Sequence, residues 1–294
     1  MRPALRQPGL RSRRPVVSVP GRAHGHPDPY RDIDAQPDPL RFVEALETRG
    51  RTPAQQRLRR RFLRLAAVQP GHLVLEVGCG TGVVLRDLLG LVGPGGRVVG
   101  IDPSGLALRA ARMLAREHSL RSRLALRVGD GARLPFRSGR FDRALAITVM
   151  LHVAEPLAVV KEMTRVVRRG GRVGLQDQDF GTVAVEHPKR ALTARILDEV
   201  AARLYPEPLS GRRLPRLLRE AGLDDVRVLT DVYQDTTLEP YTKSFLERRA
   251  ENAVRFRIVD AATAQHWLDG FTDLVARGAF LFTTNYYGAV GRKA

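Results

Sequence analysis

The sequence predicts an α/β fold built on a doubly wound, mostly parallel sheet. Two observations carry this expectation. Short apolar runs that suit strands buried on both faces alternate with amphipathic stretches of helix length. The first three of these runs lead into loops bearing glycine or an acid, at the strand ends where open α/β sheets take their ligands.

The elements follow in order. A short helix is expected over 38–49, with Leu40, Phe42, Val43 and Leu46 at helical spacing and Gly50 as its stop. Thr52-Pro53 reads as an N-cap followed by proline at the first helical position, and that helix runs to Val68. Strand 73–77 enters a glycine loop, and helix 83–91 leaves it. Strand 97–101 ends at Asp102, helix 105–117 follows, and strand 124–128 leads to Asp130. A fourth strand over 143–149, a helix over 156–167, a turn at Gly170-Gly171 and a fifth strand over 172–176 complete the regular part. Beyond it the sequence predicts a helix over 213–221, a strand over 226–232, helices over 240–259 and 261–277, and a last strand over 280–290. No internal repeat is visible.

Composition removes several function classes. The chain of 294 residues is 43% hydrophobic and 27% charged, enough for a packed core. It has no apolar run of about 18 residues, so a membrane-spanning helix is excluded. One cysteine, Cys79, excludes an internal disulfide framework and a Cys-rich zinc site, and fits a reducing compartment such as the cytoplasm. The net charge of +18 suggests nucleic acid at first sight. However, only four of the 49 basic residues are lysines, and asparagine occurs twice. Abundant arginine with scarce lysine and asparagine is the mark of a GC-rich coding sequence. Aromatic residues are 6% and do not interleave with the arginines, as a single-strand channel would require. A nucleic-acid partner is therefore not expected.

Residues 1–29 combine Arg2, Arg6, Arg11, Arg13, Arg14 and Arg22 with one acid, Asp28, and many Pro and Gly. They lack the apolar stretch of a secretory signal and read as a disordered tail, or as sequence upstream of the true start. One domain is expected over 30–294.

The most informative stretch is Glu76-Val77-Gly78-Cys79-Gly80-Thr81-Gly82. A strand entering a glycine loop and then a helix brings backbone N–H groups close to a ligand. The spacing departs from the dinucleotide Gly-x-Gly-x-x-Gly pattern, and no Gly-Lys-Ser/Thr follows to make a P-loop. A carboxylate at Glu76 would repel a pyrophosphate but suits an ammonium group. Asp102 can accept both hydroxyls of a ribose or cap a helix, and Asp130 can meet an adenine. Three acids after three successive strands, together with the loop, favour a ligand site.

These residues, with Leu134-Pro135-Phe136, Phe141-Asp142 and the Arg165–Arg172 segment, resemble the class I S-adenosylmethionine-dependent methyltransferases. The likeness is nearest to the branch of ubiquinone/menaquinone and other small-molecule methyltransferases, and spans roughly 53–180. It implies a Rossmann-like seven-stranded sheet with the last strand antiparallel, and S-adenosyl-L-methionine as cofactor. It implies that Glu76 orients the methionine amino group and that Gly78, Gly80 and Gly82 let the cofactor approach the backbone. Asp102 would hold the ribose, Asp130 and Gly131 the adenine, and Ile147 and Thr148 the methyl-transfer region. Cys79, Thr81, Pro103 and Ala132 complete the implied cofactor surface.

A base is needed only where the nucleophile must lose a proton. His152 is the candidate; a structural or capping role is the competing reading. His187, Asp177 and Asp179 follow the fifth strand and are candidates to face a substrate, although no metal site is expected there. Cys79 reads as a small loop residue rather than a nucleophile. No Asn/Asp-Pro-Pro-aromatic segment follows the fourth strand, and the apolar 146–151 stretch suits a hydrophobic small molecule. Substrate choice is assigned to the segments 30–52, 177–210 and 233–277, the last read as a helical cap insertion. The last carries Tyr233, Tyr241, Phe245, Phe256, Trp267 and Phe271, most of them expected to pack the cap. The expected enzyme methylates an oxygen, carbon or nitrogen of a small, largely apolar metabolite, in an enclosed pocket with few arginines. The alternative is an RNA or protein methyltransferase using the basic surface.

Overall fold

The computed structural model describes residues 28–117 and 121–294. Eight strands form one sheet: β1 (Leu73–Val77), β2 (Arg97–Asp102), β3 (Leu124–Val128), β4 (Phe141–Ile147), β5 (Val167–Gln178), β6 (Ala184–Val185), β7 (Asp224–Asp235) and β8 (Phe282–Arg292). Side by side they run β3-β2-β1-β4-β5-β8-β7. Strands β1 to β5 are parallel, and β8 runs antiparallel to both β5 and β7. The two-residue β6 also pairs with β8, on its β5 side, where it continues the line of β5 beyond a 3-10 turn at Phe180–Thr182. Seven of these strands are ones the sequence predicts, with the last antiparallel, and β6 adds an eighth strand without adding a lateral position.

Central strands are apolar because helices cover both faces. On one face lie α2 (Pro53–Leu65), α3 (Val83–Val92) and α4 (Gly105–Glu117), packing Phe62, Leu85, Leu88 and Leu108 on the sheet. The other face carries α5 (Pro156–Val166) and α7 (Ser210–Glu220), with Val160, Met163, Leu214 and Leu218. Edge strand β7 is largely exposed along its first half, while β1 and β4 are almost fully buried. The Phe62 ring sits where Gly174 of β5 and Gly288 of β8 leave room; a Cβ on Gly288 would come within 2.8 Å of it.

A second apolar cluster lies beyond the carboxyl edge. Helices α6 (Arg190–Leu204), α8 (Pro240–Arg255) and α9 (Ala261–Ala276) build it around Trp267, Phe271, Tyr233 and Phe282. The sequence reading missed α6. Its stripe of Thr193, Ile196, Leu197, Val200, Ala201 and Leu204 has helical spacing, but Lys189 gives no side-chain cap to announce it.

Several boundaries differ for physical reasons. Helix α1 spans Leu40–Arg51, so Gly50 lies inside it rather than stopping it. A Cβ there would lie 2.7 Å from Val83, so the glycine serves close packing of α1 on the glycine-loop helix. Thr52 caps α2 by position only; its hydroxyl donates to Thr48 O instead. Strand β4 starts and ends two residues early, and its end is set by Thr148, which turns out of the sheet at φ +54°. Among the described residues no helix is long and apolar enough to cross a membrane.

Candidate active site

The loops at the carboxyl ends of β1, β2, β4 and β5 open into a cavity of about 1440 Å³. Single small-molecule sites are typically about 300–1,000 Å³, so this one has room for two molecules side by side. The 3-10 segment Pro29–Ala35 and helices α1 and α8 cover it. Its lining is mixed, with Arg31, Arg41, Arg49, Arg59, Arg133 and Arg248 among the residues. The expected apolar pocket with few arginines is therefore not what the fold builds.

Glu76, Gly78, Cys79, Gly80 and Thr81 line one end. Gly78 turns at φ +69°, and a Cβ on it would lie 2.5 Å from Val149, so the chain can pass there only as glycine. Gly82 does not line the cavity; at φ +78° it forms the N-cap of α3. Cys79 is buried, and burial pushes its thiol pKa well up. Its Sγ fills the space beside Gly100, a packing role.

Glu76 is 2% exposed, and its Oε2 has no hydrogen-bond partner. Burial first, then the charges of Asp102 and Asp87, hold its pKa well above the usual carboxylate range. A buried carboxylate oxygen without a donor is costly, and a cationic ligand would satisfy it. Asp102 accepts from Gly80 N at 2.8 Å and Ser104 N at 2.9 Å, so it both caps its own turn and ties down the glycine loop. Burial raises its pKa against those two N–H groups. Pro103, Asp130, Gly131 and Ala132 line the same end. Asp130 is exposed and accepts from Ala132 N at 2.9 Å, and Gly131 approaches Val77 too closely for a side chain.

Ile147 and Thr148 line the middle. A β-branched residue at positive φ is strained, and two contacts hold Thr148 there. Its N–H donates to Gln176 O at 2.7 Å, and its hydroxyl accepts from Arg49 Nη1 at 3.0 Å. Burial works against the Arg49 charge, but Tyr286, Tyr241, Asp177 and Tyr30 outweigh it and raise its pKa.

His152 lies just beyond, with Nδ1 at 2.6 Å from Oδ2 of Asp28. Asp28 is 2% exposed, and its other oxygen accepts from Tyr30 N at 3.1 Å. Asp28 and Pro29, assigned by sequence to the 1–29 tail, instead belong to the 3-10 segment at this site, Asp28 as its N-cap; residues 1–27 lie outside the described residues. The His152 ring packs against Tyr30 and Tyr205, with centroids at 5.2 and 5.6 Å.

The other acids and the histidine at and beyond the end of β5 turn away. Asp177 is fully buried and accepts from Leu151 N and Gln178 N; burial raises its pKa to about 6. Asp179 caps the Phe180–Thr182 turn and pairs with Arg212. His187 packs on Trp267 and Phe271, bonded to Trp267 O and Lys189 N. Neither Asp177, Asp179 nor His187 lines the cavity. Of the cap rings, Tyr241 and Phe245 reach it, and Tyr233, Trp267 and Phe271 form the cap core.

Residues 75–175 match the protein family described as "Methyltransferase domain". Over 260 residues the chain is 30% identical to an uncharacterized 37.1 kDa protein of transposon TN4556 from Streptomyces fradiae, covering 88% of this chain and 72% of that protein. Over 116 residues it is 40% identical to nocamycin O-methyltransferase of Saccharothrix syringae, covering 40% of this chain and 41% of that enzyme. The fold matches that of a Haemonchus contortus phosphoethanolamine N-methyltransferase solved with S-adenosylhomocysteine. The TM-score is 0.58 at 16% identity, over 90% of this chain and 60% of that one. The chain belongs to the class I S-adenosylmethionine-dependent methyltransferases. It is an enzyme whose cofactor is S-adenosylmethionine.

Proposed function

We propose that the enzyme methylates a hydroxyl oxygen of a small, ring-containing metabolite in the cytoplasm, with His152 as the base. The observation that carries this is the pairing of buried Asp28 with half-buried His152 at the cavity wall. The carboxylate accepts the proton of Nδ1, which leaves Nε2 as the basic nitrogen and fixes the ring plane. Carbon and nitrogen acceptors that are already nucleophilic need no such base. The O-methyltransferase among the similar proteins supports the oxygen reading.

The residues present fit the cofactor. Glu76 supplies an unpartnered oxygen for the methionine ammonium, and Arg49 a cation for its carboxylate. Gly78 removes the side chain that would block the approach. Asp102 receives the ribose, and Asp130 with Gly131 borders the adenine. S-adenosylmethionine, when bound, supplies a methyl group already activated on a sulfonium. The protein therefore contributes orientation, exclusion of water and removal of one proton. The cover of Pro29–Ala35 and α8 favours a compact acceptor over a polymer. Arg59 and Arg61 of the basic α2 face are taken up by Asp87 and Asp231.

The test is product analysis by mass spectrometry across a panel of phenols, enols, amines and carbon nucleophiles. O-methyl products are expected, falling about 10²–10⁴-fold in His152→Ala. N- or C-methyl products made equally by His152→Ala would overturn the hydroxyl reading.

A further inference from the structure

Beyond the base and the cofactor end, one buried charge has no task. Arg249 of α8 is 3% exposed, and its Nε and Nη2 have no hydrogen-bond partner. It forms no ion pair among the described residues. The guanidinium is held instead between rings, 4.5 Å from the centroid of Phe180, 4.6 Å from Phe245 and 5.3 Å from Tyr205. All three rings line the cavity, and Tyr205 packs edge-on to His152. Burial lowers the pKa of Arg249, so its charge is held at a cost.

Cation–π contact and a hydrogen-bonding contribution from Tyr205 offset part of that cost, but Nε and Nη2 are left with nothing to donate to. Native folds rarely keep such donors without a reason. Tyr205 is the polar group that connects them to the cavity. Burial raises its pKa, and the Arg249 charge offsets part of that rise. No hydrogen-bond acceptor for that hydroxyl is found among the described residues. The cavity wall beside the base thus presents a phenol donor backed by an unpaired cation.

We propose that Tyr205 and Arg249 form an anion subsite in the substrate half of the cavity. The acceptor would carry an anionic oxygen, a carboxylate or the enolate of an acidic enol, on the same scaffold as the hydroxyl that is methylated. This deepens the methyl-transfer reading and rests on it. The Tyr205 hydroxyl donates to that oxygen while His152 takes the proton of the neighbouring hydroxyl. The positive field of Arg249 holds the anion in a low-dielectric wall. Arg249 itself does not line the cavity, so it acts on the ligand through its charge and through Tyr205; a neutral analogue gains nothing from that field, so the subsite selects for charge.

Calorimetry on the protein loaded with S-adenosylhomocysteine tests this with matched probes. One arm compares 1-hydroxy-2-naphthoate with its methyl ester; the other compares 4-hydroxycoumarin, an acidic enol without a carboxylate, with 7-hydroxycoumarin at pH 6. The anionic member of at least one pair should bind more tightly, and the arm that responds names the source of the charge. Arg249→Gln should weaken the anionic probe about 10- to 100-fold. It should change the neutral probe about twofold at most. Tyr205→Phe, which keeps the ring, should weaken the anion in the same direction, and Arg249→Lys should recover part of the loss. S-adenosylhomocysteine affinity, measured in the same titrations, reports separately on the cofactor reading. No preference for either anion in the wild type overturns the proposal, as does an equal loss for anionic and neutral probes in Arg249→Gln.

Discussion

The two halves of the cavity keep their ligand-facing groups ready by different means. On the cofactor half, backbone does most of the work. Gly78 and Gly80 turn at positive φ, and the Asp102 carboxylate ties Gly80 and Ser104 in place. On the cap half, side chains do it. Phe180, Tyr205 and Phe245 wall in Arg249, and Gln178 accepts from the hydroxyls of Tyr286 and Tyr241 at 2.8 and 3.3 Å. Each half nonetheless holds a buried polar group without a partner, Glu76 Oε2 on one side and Arg249 on the other. Backbone geometry leaves a short, ordered trace in the sequence. A side-chain cage assembled from three distant segments does not.

The largest effect should fall between the halves. His152→Ala should lower kcat about 10²–10⁴-fold while cofactor affinity, read by calorimetry, stays unchanged. Asp28→Asn should follow it in direction, and a pH–rate profile that loses its acidic limb only in His152→Ala would assign the base. A kcat untouched by either change would place the chemistry elsewhere.

Separating the halves energetically comes next. Trp267 is fully buried in the cap, and its indole N–H donates to Thr193 Oγ1 at 3.0 Å. Trp267→Ala should cost about 3–5 kcal/mol of stability in denaturant unfolding. Affinity for S-adenosylhomocysteine should nonetheless hold under native conditions, because the glycine loop rests on another apolar cluster. Parallel loss of both would show the halves to be one cooperative unit at the site.

Asp177 joins them through Leu151 N, and its pKa of about 6 lies above the 3.8 of an ordinary aspartate. A raised folded-state pKa means the native state binds the proton more tightly than the unfolded one. Its contribution to stability is full below about pH 4 and is lost as pH rises through about 6. Across that window the contribution is at most about 3 kcal/mol. Asp177→Asn should flatten the melting-temperature curve between those values; an unchanged slope would refute the assignment.

The sequence was most legible where one physical demand fixes one residue. Strands β1 and β3 and helix α4 fall where their apolar patterns put them, and every predicted cofactor residue except Gly82 lines the cavity. Gly82 misled because a glycine ending such a loop looks the same whether it meets a ligand or turns a helix start. Asp28 was visible as the one acid in an arginine-rich tail, and Asp-Pro is a cap signal; its reach to His152, 124 residues away, was not. Arg249 was hidden by composition. In a chain with so many arginines nothing local separates a caged one from Arg248 beside it, or from the solvated faces.

Glu76→Gln tests most directly the claim that unpartnered buried groups mark where ligands sit. Two numbers from one variant are needed, the melting temperature of the free protein and the Kd for S-adenosylmethionine by calorimetry. Removing a desolvated carboxylate should leave the melting temperature unchanged or higher. Losing a charge-assisted bond to the ammonium should weaken binding by about 1.5–3 kcal/mol, roughly 10- to 100-fold. Wild-type affinity, or a lower melting temperature with affinity intact, would contradict the account, because Glu76 would then be holding the fold rather than waiting for the cofactor.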